Sequence, residues 1–288
     1  MAAAAGTGYK PGMPPASPPR RGPRPPRVLV FDSGLGGLTV LGEVDRVRPE
    51  AERAYVADDA VFPYGDLPEP ALVARVLDVL APLVDRIRPD AVVVACNTAS
   101  TAVLPPLRAR WPELAVVGTV PAVKPAAAAS ATRRIAVLAT PGTVARDYTR
   151  DLVRAFAGDC AVDLVGAKRL AALAEAALRG EGLDDAEVLA EIAPAFVDRD
   201  GRRTDTVVLA CTHYPLLVDV FARVAPWPVA YLDPAPAIAR RLDAVLAERG
   251  FAAARDAPLR PGPVVFTSGR APGPALARAL AARGLVPA

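Results

Sequence analysis

The chain is poor in the residues on which much polar catalysis depends: its 288 residues include one histidine, three cysteines and three lysines, and only 5% are aromatic. Three cysteines, an odd number in a chain this long, argue against a disulfide framework and point to a reducing compartment, with the cytoplasm as the expected location. A zinc site lacks its ligand spacing. There is no C-x-x-C or H-x-x-x-H, and Cys96, Cys211, His213 and one carboxylate would have to supply every ligand. The missing C-x-x-C also counts against disulfide exchange. Of the three lysines, Lys10 lies in the opening segment and Lys168 in a helical stretch, which leaves Lys124 of "PAVKPA" as the one candidate Schiff-base lysine for pyridoxal phosphate. No window reaches the roughly 18 to 20 consecutive apolar residues of a membrane-spanning helix, because Asp, Arg, Pro or Gly interrupts every run.

Charge of one sign is scarce once the opening segment is set aside. The net charge is +3, but residues 1 to 27 hold Lys10, Arg20, Arg21, Arg24 and Arg27 and no acid, so the remainder carries about −2. No nucleic-acid partner is expected from that balance. Residues 1–26, rich in Pro, Ala and Gly and without an apolar h-region, read as a disordered tail outside the fold, with a basic interaction arm as the alternative.

What is abundant is apolar: 52% of the chain, in short β-rich runs that alternate with Ala/Leu/Arg-rich amphipathic stretches. Strands are expected at 27–31, 53–57, 91–95, 114–118, 134–139, 161–165, 206–210, 228–232 and 263–267, and their continuous apolar runs suit parallel strands buried on both faces. Two internal echoes indicate the architecture. "DAVVVAC" (90–96) and "DTVVLAC" (205–211) agree at five of seven positions with their cysteines 115 residues apart, and "RVLVFDSG" from Arg27 is echoed by "RIAVLATP" from Arg134, 107 residues on. The expected fold is α/β with two pseudo-symmetric domains, each a mostly parallel sheet flanked by helices. Residues 27–118 plus 226–288 would form the first and 119–225 the second. Ligands of open parallel sheets bind beyond the carboxyl ends of the strands, so a cleft between the halves would bring both cysteine loops to one ligand.

Cys160 in "FAGDCAVD" fits a small, inert apolar residue. Cys96 and Cys211 differ, because polar residues follow each at once, "NTAS" and "THYP", at a strand-to-helix junction where the helix N-terminus is expected to lower a thiol pKa. Two opposed thiols suit removal of a proton from one face of a carbon and its delivery to the other; hydrolysis would leave one of them idle. His213, two residues past Cys211, can set that cysteine's ionisation, bind a carboxylate, or serve as a hydrogen-bonded cap. "FDSGLGGLTVL" (31–41) matches only the first two glycines of a dinucleotide fingerprint, at Gly34 and Gly36, with Thr39 in the third position. Asp58 stands where the ribose-binding acid would, but Asp32 at the end of the first strand would oppose a pyrophosphate. It suits an ammonium group or a base.

The segments "VFDSGLGGLTVL", "FPYGD", "VVVACNTAS", "GTVPAVKPA", "LATPGTV" and "VVLACTHYPLL" resemble, in order and spacing, the glutamate racemases of the cofactor-independent aspartate/glutamate racemase superfamily, over roughly residues 27 to 270. The resemblance implies that Cys96 and Cys211 are the two acid/base residues, assisted by Asp32 near Cys96 and by His213 and an acid of the second half near Cys211. Glu175, ending "LAALAE" where the family has a "LVPLVE"-like segment, is taken as that acid. The preceding "GAKR" departs from the family's common Cys-Pro. Substrate contacts are implied for Asp32, Ser33, Tyr64, Gly65, Asn97, Thr98, Thr212 and His213, although Tyr64 and Gly65 could simply form a turn and Asn97 and Thr98 helix caps. The implied reaction interconverts L- and D-glutamate for peptidoglycan, with no cofactor and no metal, and with a homodimer as the family's frequent assembly. The rivals are an aspartate or other carbon-acid racemase, a decarboxylase, and a catalytically silent binding module.

Overall fold

The period-two geometry of a strand explains why the apolar runs are continuous. In β1 (Arg27–Asp32), Val28 and Val30 enter one apolar cluster while Leu29 and Phe31 enter another, so both faces are buried. The computed structural model describes residues 24–288, and the expectations for residues 1–23 lie outside it. The other strands are β2 (Glu52–Ala57), β3 (Ala91–Val94), β4 (Ala115–Val117), β5 (Arg134–Ala139), β6 (Ala161–Gly166), β7 (Asp198–Arg199), β8 (Arg202–Arg203), β9 (Thr206–Ala210), β10 (Ala230–Leu232), β11 (Gly262–Phe266) and β12 (Leu285–Pro287). β12-β11-β2-β1-β3-β4 form one sheet and β10-β9-β5-β6 a second, both wholly parallel, while β7 and β8 make a small antiparallel hairpin. The expected α/β class, with two helix-flanked parallel sheets, is the one observed.

The two sheets share one topology. β1 lies between β2 and β3, and β5 lies between β6 and β9, so in each the chain leaves a central strand to one side and returns to the other. Loops diverge at such a switch point and leave a crevice beyond the strand ends. The echoed aspartates start the returning strands alike. The Asp90 N–H donates to the Arg27 carbonyl at 2.8 Å while its carboxylate accepts the Arg27 N–H at 2.9 Å; the Asp205 carboxylate accepts the Thr132 N–H at 2.8 Å and the Ser130 hydroxyl at 2.7 Å.

Two expectations need correction. The ordered body does not begin at residue 27: Arg24 pairs with Asp90 through two hydrogen bonds of 2.8 and 2.9 Å, an acid already needed to start β3. The chain does not return to the first sheet at residue 226, because β10 pairs with β9, and Val229 and Tyr231 pack into the second sheet's core. The β7–β8 hairpin and β12 were not expected at all. Among the described residues no helix is long and apolar enough to cross a membrane.

Candidate active site

β1 and β3 run in register to Phe31 and Val94, which sets Asp32 beside the loop Ala95–Cys96. Cys96, not Asn97 or Thr98, is the N-cap of the helix Asn97–Arg110, and its sulfur accepts the Ala99 N–H at 3.5 Å. That hydrogen bond favours the thiolate, as the sequence suggested, but it is outweighed: burial, followed by the nearby Asp32 charge, pushes the Cys96 thiol up to about 12. Asp32 is fully buried and accepts N–H bonds from Gly34 and Gly37 at 3.2 and 3.1 Å, and the Thr212 hydroxyl of the other half at 3.2 Å. Burial pushes its carboxyl up to about 6 against the opposing pull of His213. Cys96 is thus held as a proton donor beside an acid that titrates near neutrality.

The second half builds a different environment around the equivalent cysteine. The Cys211 sulfur lies 3.7 Å from His213 Nδ1, and His213 Nε2 lies 3.1 Å from Glu175 Oε1. Burial opposes charge on the imidazole, but its hydrogen bonds to Cys211 and Glu175 prevail and push it up to about 10. Burial likewise opposes the Glu175 charge, yet His213, Arg179 (2.7 Å to Oε2) and the Leu35 N–H (2.6 Å to Oε1) hold the carboxyl below its usual range. The site therefore pairs a thiol kept protonated with a sulfur facing a positive charge.

The glycines of "GLGG" are needed for close approach. None has a positive φ, but a Cβ on Gly34 would stand 2.1 Å from Glu175 Oε1, and one on Gly36 would stand 2.5 Å from His213 Nδ1 and 2.6 Å from its backbone nitrogen. The first half's glycine loop is pressed onto the second half's acid and histidine. Gly36→Ala is expected to displace the imidazole by about an ångström and lower kcat/KM about 10²-fold with little change in far-ultraviolet circular dichroism. Wild-type kinetics from that variant would show that the loop does not set the histidine.

Both sulfurs line one small cavity of ≈ 10 Å³, with walls from both halves. Ser33, Tyr64, Gly65, Asn97, Thr98, Thr212 and His213 also line it, so the structure brings the expected residues together; Asp32 and Glu175 support it from behind. Asn97 is buried and both polar atoms of its amide are unpartnered. The Tyr64 hydroxyl is not free for substrate, since it bonds Asp58, which also accepts Arg75 Nε at 2.8 Å and Thr267 at 2.5 Å. Three residues were missed. Thr140 and Thr143 join Thr98 in a hydroxyl triangle of 2.9 to 3.0 Å across the halves, and the Phe62 ring covers His213 at 5.3 Å. Thr140 had a signal, because the 107-residue echo aligns it with Ser33. Lys124 lies elsewhere, over the Phe156 ring, in a larger cleft of ≈ 490 Å³ that contains no acid/base pair like that of the thiols. Among the described residues no group of three His, Cys, Asp or Glu is arranged to hold a metal ion.

The chain matches the model of the Asp/Glu/Hydantoin racemase family over residues 47–242. It is 55% identical over 235 residues to the glutamate racemase of Brucella canis, covering 82% of this chain and 84% of that protein, and 56% identical over 222 residues to that of Brucella anthropi, covering 77% and 80%. Among solved structures, Escherichia coli glutamate racemase in complex with L-glutamate and the activator UDP-MurNAc-ala is 37% identical, with a TM-score of 0.82 over 92% of this chain and 97% of that one. With a family model spanning more than half its length and relatives this similar, the chain belongs to the Asp/Glu/Hydantoin racemase family.

Proposed function

We propose that this racemase interconverts L- and D-glutamate by two-thiol acid/base catalysis without a cofactor, supplying D-glutamate for peptidoglycan. The observation that carries the reading is the pair of sulfurs in one cavity, delivered from equivalent switch points of two sheets, each beside its own acid. One sulfur, as thiolate, takes the α-proton; the other, as thiol, delivers a proton to the opposite face, and the stereocentre inverts. Each turnover exchanges the roles of the two thiols, so protons must move before the next substrate of the same hand. Asp32, titrating near neutrality, does this beside Cys96, and the Glu175-held His213 does it beside Cys211. Ser33, Asn97, Thr98 and Thr212 supply an amide and hydroxyls for two carboxylates, joined by Thr140 and Thr143, while Tyr64 and Gly65 contribute wall and backbone.

A cavity of ≈ 10 Å³ holds roughly one water, so a dicarboxylic amino acid enters only when the halves part. Closure then excludes water from the carbanionic transition state and strengthens every charge interaction around it. The three cysteines are free, and the chemistry needs two of them reduced, which supports a cytoplasmic location. A homodimer is the assembly carried over from the family and is checked by light scattering.

The test is circular dichroism of L-glutamate with the purified chain and no added cofactor. The signal is expected to decay to zero and to persist with L-aspartate in its place. Decay with aspartate alone would transfer the reading to a sister racemase, and persistence with both would leave a binding module.

A further inference from the structure

Tyr214 is wholly buried, and its phenol oxygen makes no well-formed hydrogen bond, the Cys211 sulfur being the one side chain that acts on it as a hydrogen-bond partner. A buried hydroxyl left unpaired is destabilising, and phenylalanine would fill the same space without that cost. Its position shows which state would pair it. Tyr214 opens the 3-10 turn Tyr214–Leu217, its N–H donates to the Cys211 carbonyl at 3.1 Å, and its ring shares an apolar cluster with the Cys211 side chain. Cys211 and Glu191 are the two acidic neighbours that act on the phenol. Glu191 is engaged elsewhere, accepting the Arg169 N–H at 3.1 Å. The sulfur is met by His213 Nδ1 and has further lone pairs to offer.

We propose that Tyr214 is a positioning residue for Cys211, its O–H turning onto the sulfur when the sulfur carries negative charge. A neutral thiol is a weak acceptor and a thiolate a strong one, so this hydrogen bond forms as the charge forms. The phenol keeps its proton throughout, since burial and the neighbouring acids hold it well above its ordinary ionisation. The α-proton moves between Cα and sulfur alone. The charged groups around the pair are His213, Glu175 and Asp32 on the cavity side and Glu191 on the other. The consequence for turnover rests on the two-thiol reading, but the phenol–sulfur contact does not.

Tyr214→Phe removes the hydroxyl and nothing else. In a Cys96→Ser, Cys160→Ser background, where Cys211 is the one remaining thiol, its thiolate absorbance is titrated with and without Tyr214→Phe. The midpoint is expected to rise by about one pH unit, with Tm unchanged or higher. In the otherwise native protein, kcat/KM for glutamate is expected to fall about tenfold and the acid limb of its pH profile to move upward. A risen midpoint in a protein that does not turn over glutamate would support the contact while rejecting the racemase reading. An unmoved midpoint, or a fall in kcat/KM with a lower Tm and an unmoved pH profile, would overturn the proposal.

Discussion

Serine at position 96 or at position 211 is expected to lower racemisation by about 10³-fold or more in both directions while leaving the protein folded. The fold should survive because Cys96 occupies an N-cap, a position serine fills well, and serine at 211 can still bond His213. Because the enantiomers have equal free energy, kcat/KM must fall equally from L and from D. What separates the two variants is proton exchange. One remaining thiol can take a proton from one face and return a solvent-derived proton to that same face, so each variant should wash deuterium into one enantiomer without inverting it, and the two variants should choose opposite enantiomers. Proton NMR of L- and D-glutamate in D2O checks this. Two variants exchanging the same enantiomer would mean that the sulfurs do not face opposite sides of the substrate.

Glu175→Gln should reduce both activity and stability, and unlike the cysteine variants it should change how stability depends on pH. The side chains of His213 and Glu175 are 2% and 6% exposed, so removing the carboxylate strands a buried cation or forces it to shed its proton. A loss of about 3 kcal/mol of stability is expected, with a fall in kcat/KM of about 10²-fold. The signs follow from the two shifts. His213 is raised to about 10, so its contribution is full below its ordinary value and is lost as pH climbs through about 10. Glu175 is held low, so its contribution is present above the ordinary carboxylate range and is lost as pH falls through its lowered value. The stability gap between wild type and variant should therefore be widest between those limits and close on either side. Denaturant titrations across pH measure it, and a gap independent of pH would mean that the pair does not carry charge.

Much of this arrangement is legible in the sequence because buried parallel strands are written as continuous apolar runs. Each run named from composition became a strand, with ends moved by no more than two residues. The β7–β8 hairpin escaped notice because "DR" and "RR" carry no apolar pattern. β10 was assigned to the wrong half because an isolated apolar run does not state which sheet edge it will join; the pairing of Ala230 with Thr206 decides that. The cysteines were legible through their echo, but their proton affinities were not, since helix-end position suggested a lowered thiol at Cys96 and burial beside Asp32 reversed it. Contacts across the halves were the least visible. Gly34 and Gly36 resemble nucleotide-loop glycines until Glu175 and His213, far along the chain, are seen pressed against them. Thr143 and Phe62 fall inside "LATPGTV" and "FPYGD", segments that carry the resemblance, but neither residue type marks a role; packing places Phe62 in the cavity wall and Thr143 against Thr98 and Thr140.

The central claim is that two thiols act from opposite faces. The measurement that addresses it most directly is the isotopic content of both enantiomers early in the conversion of protiated L-glutamate in D2O, followed by NMR after chiral separation. The D-glutamate first formed should carry deuterium at Cα, donated by a thiol already equilibrated with solvent, while the remaining L-glutamate stays protiated. Protium carried from substrate into product would mean that a single group works both faces, and would contradict the account.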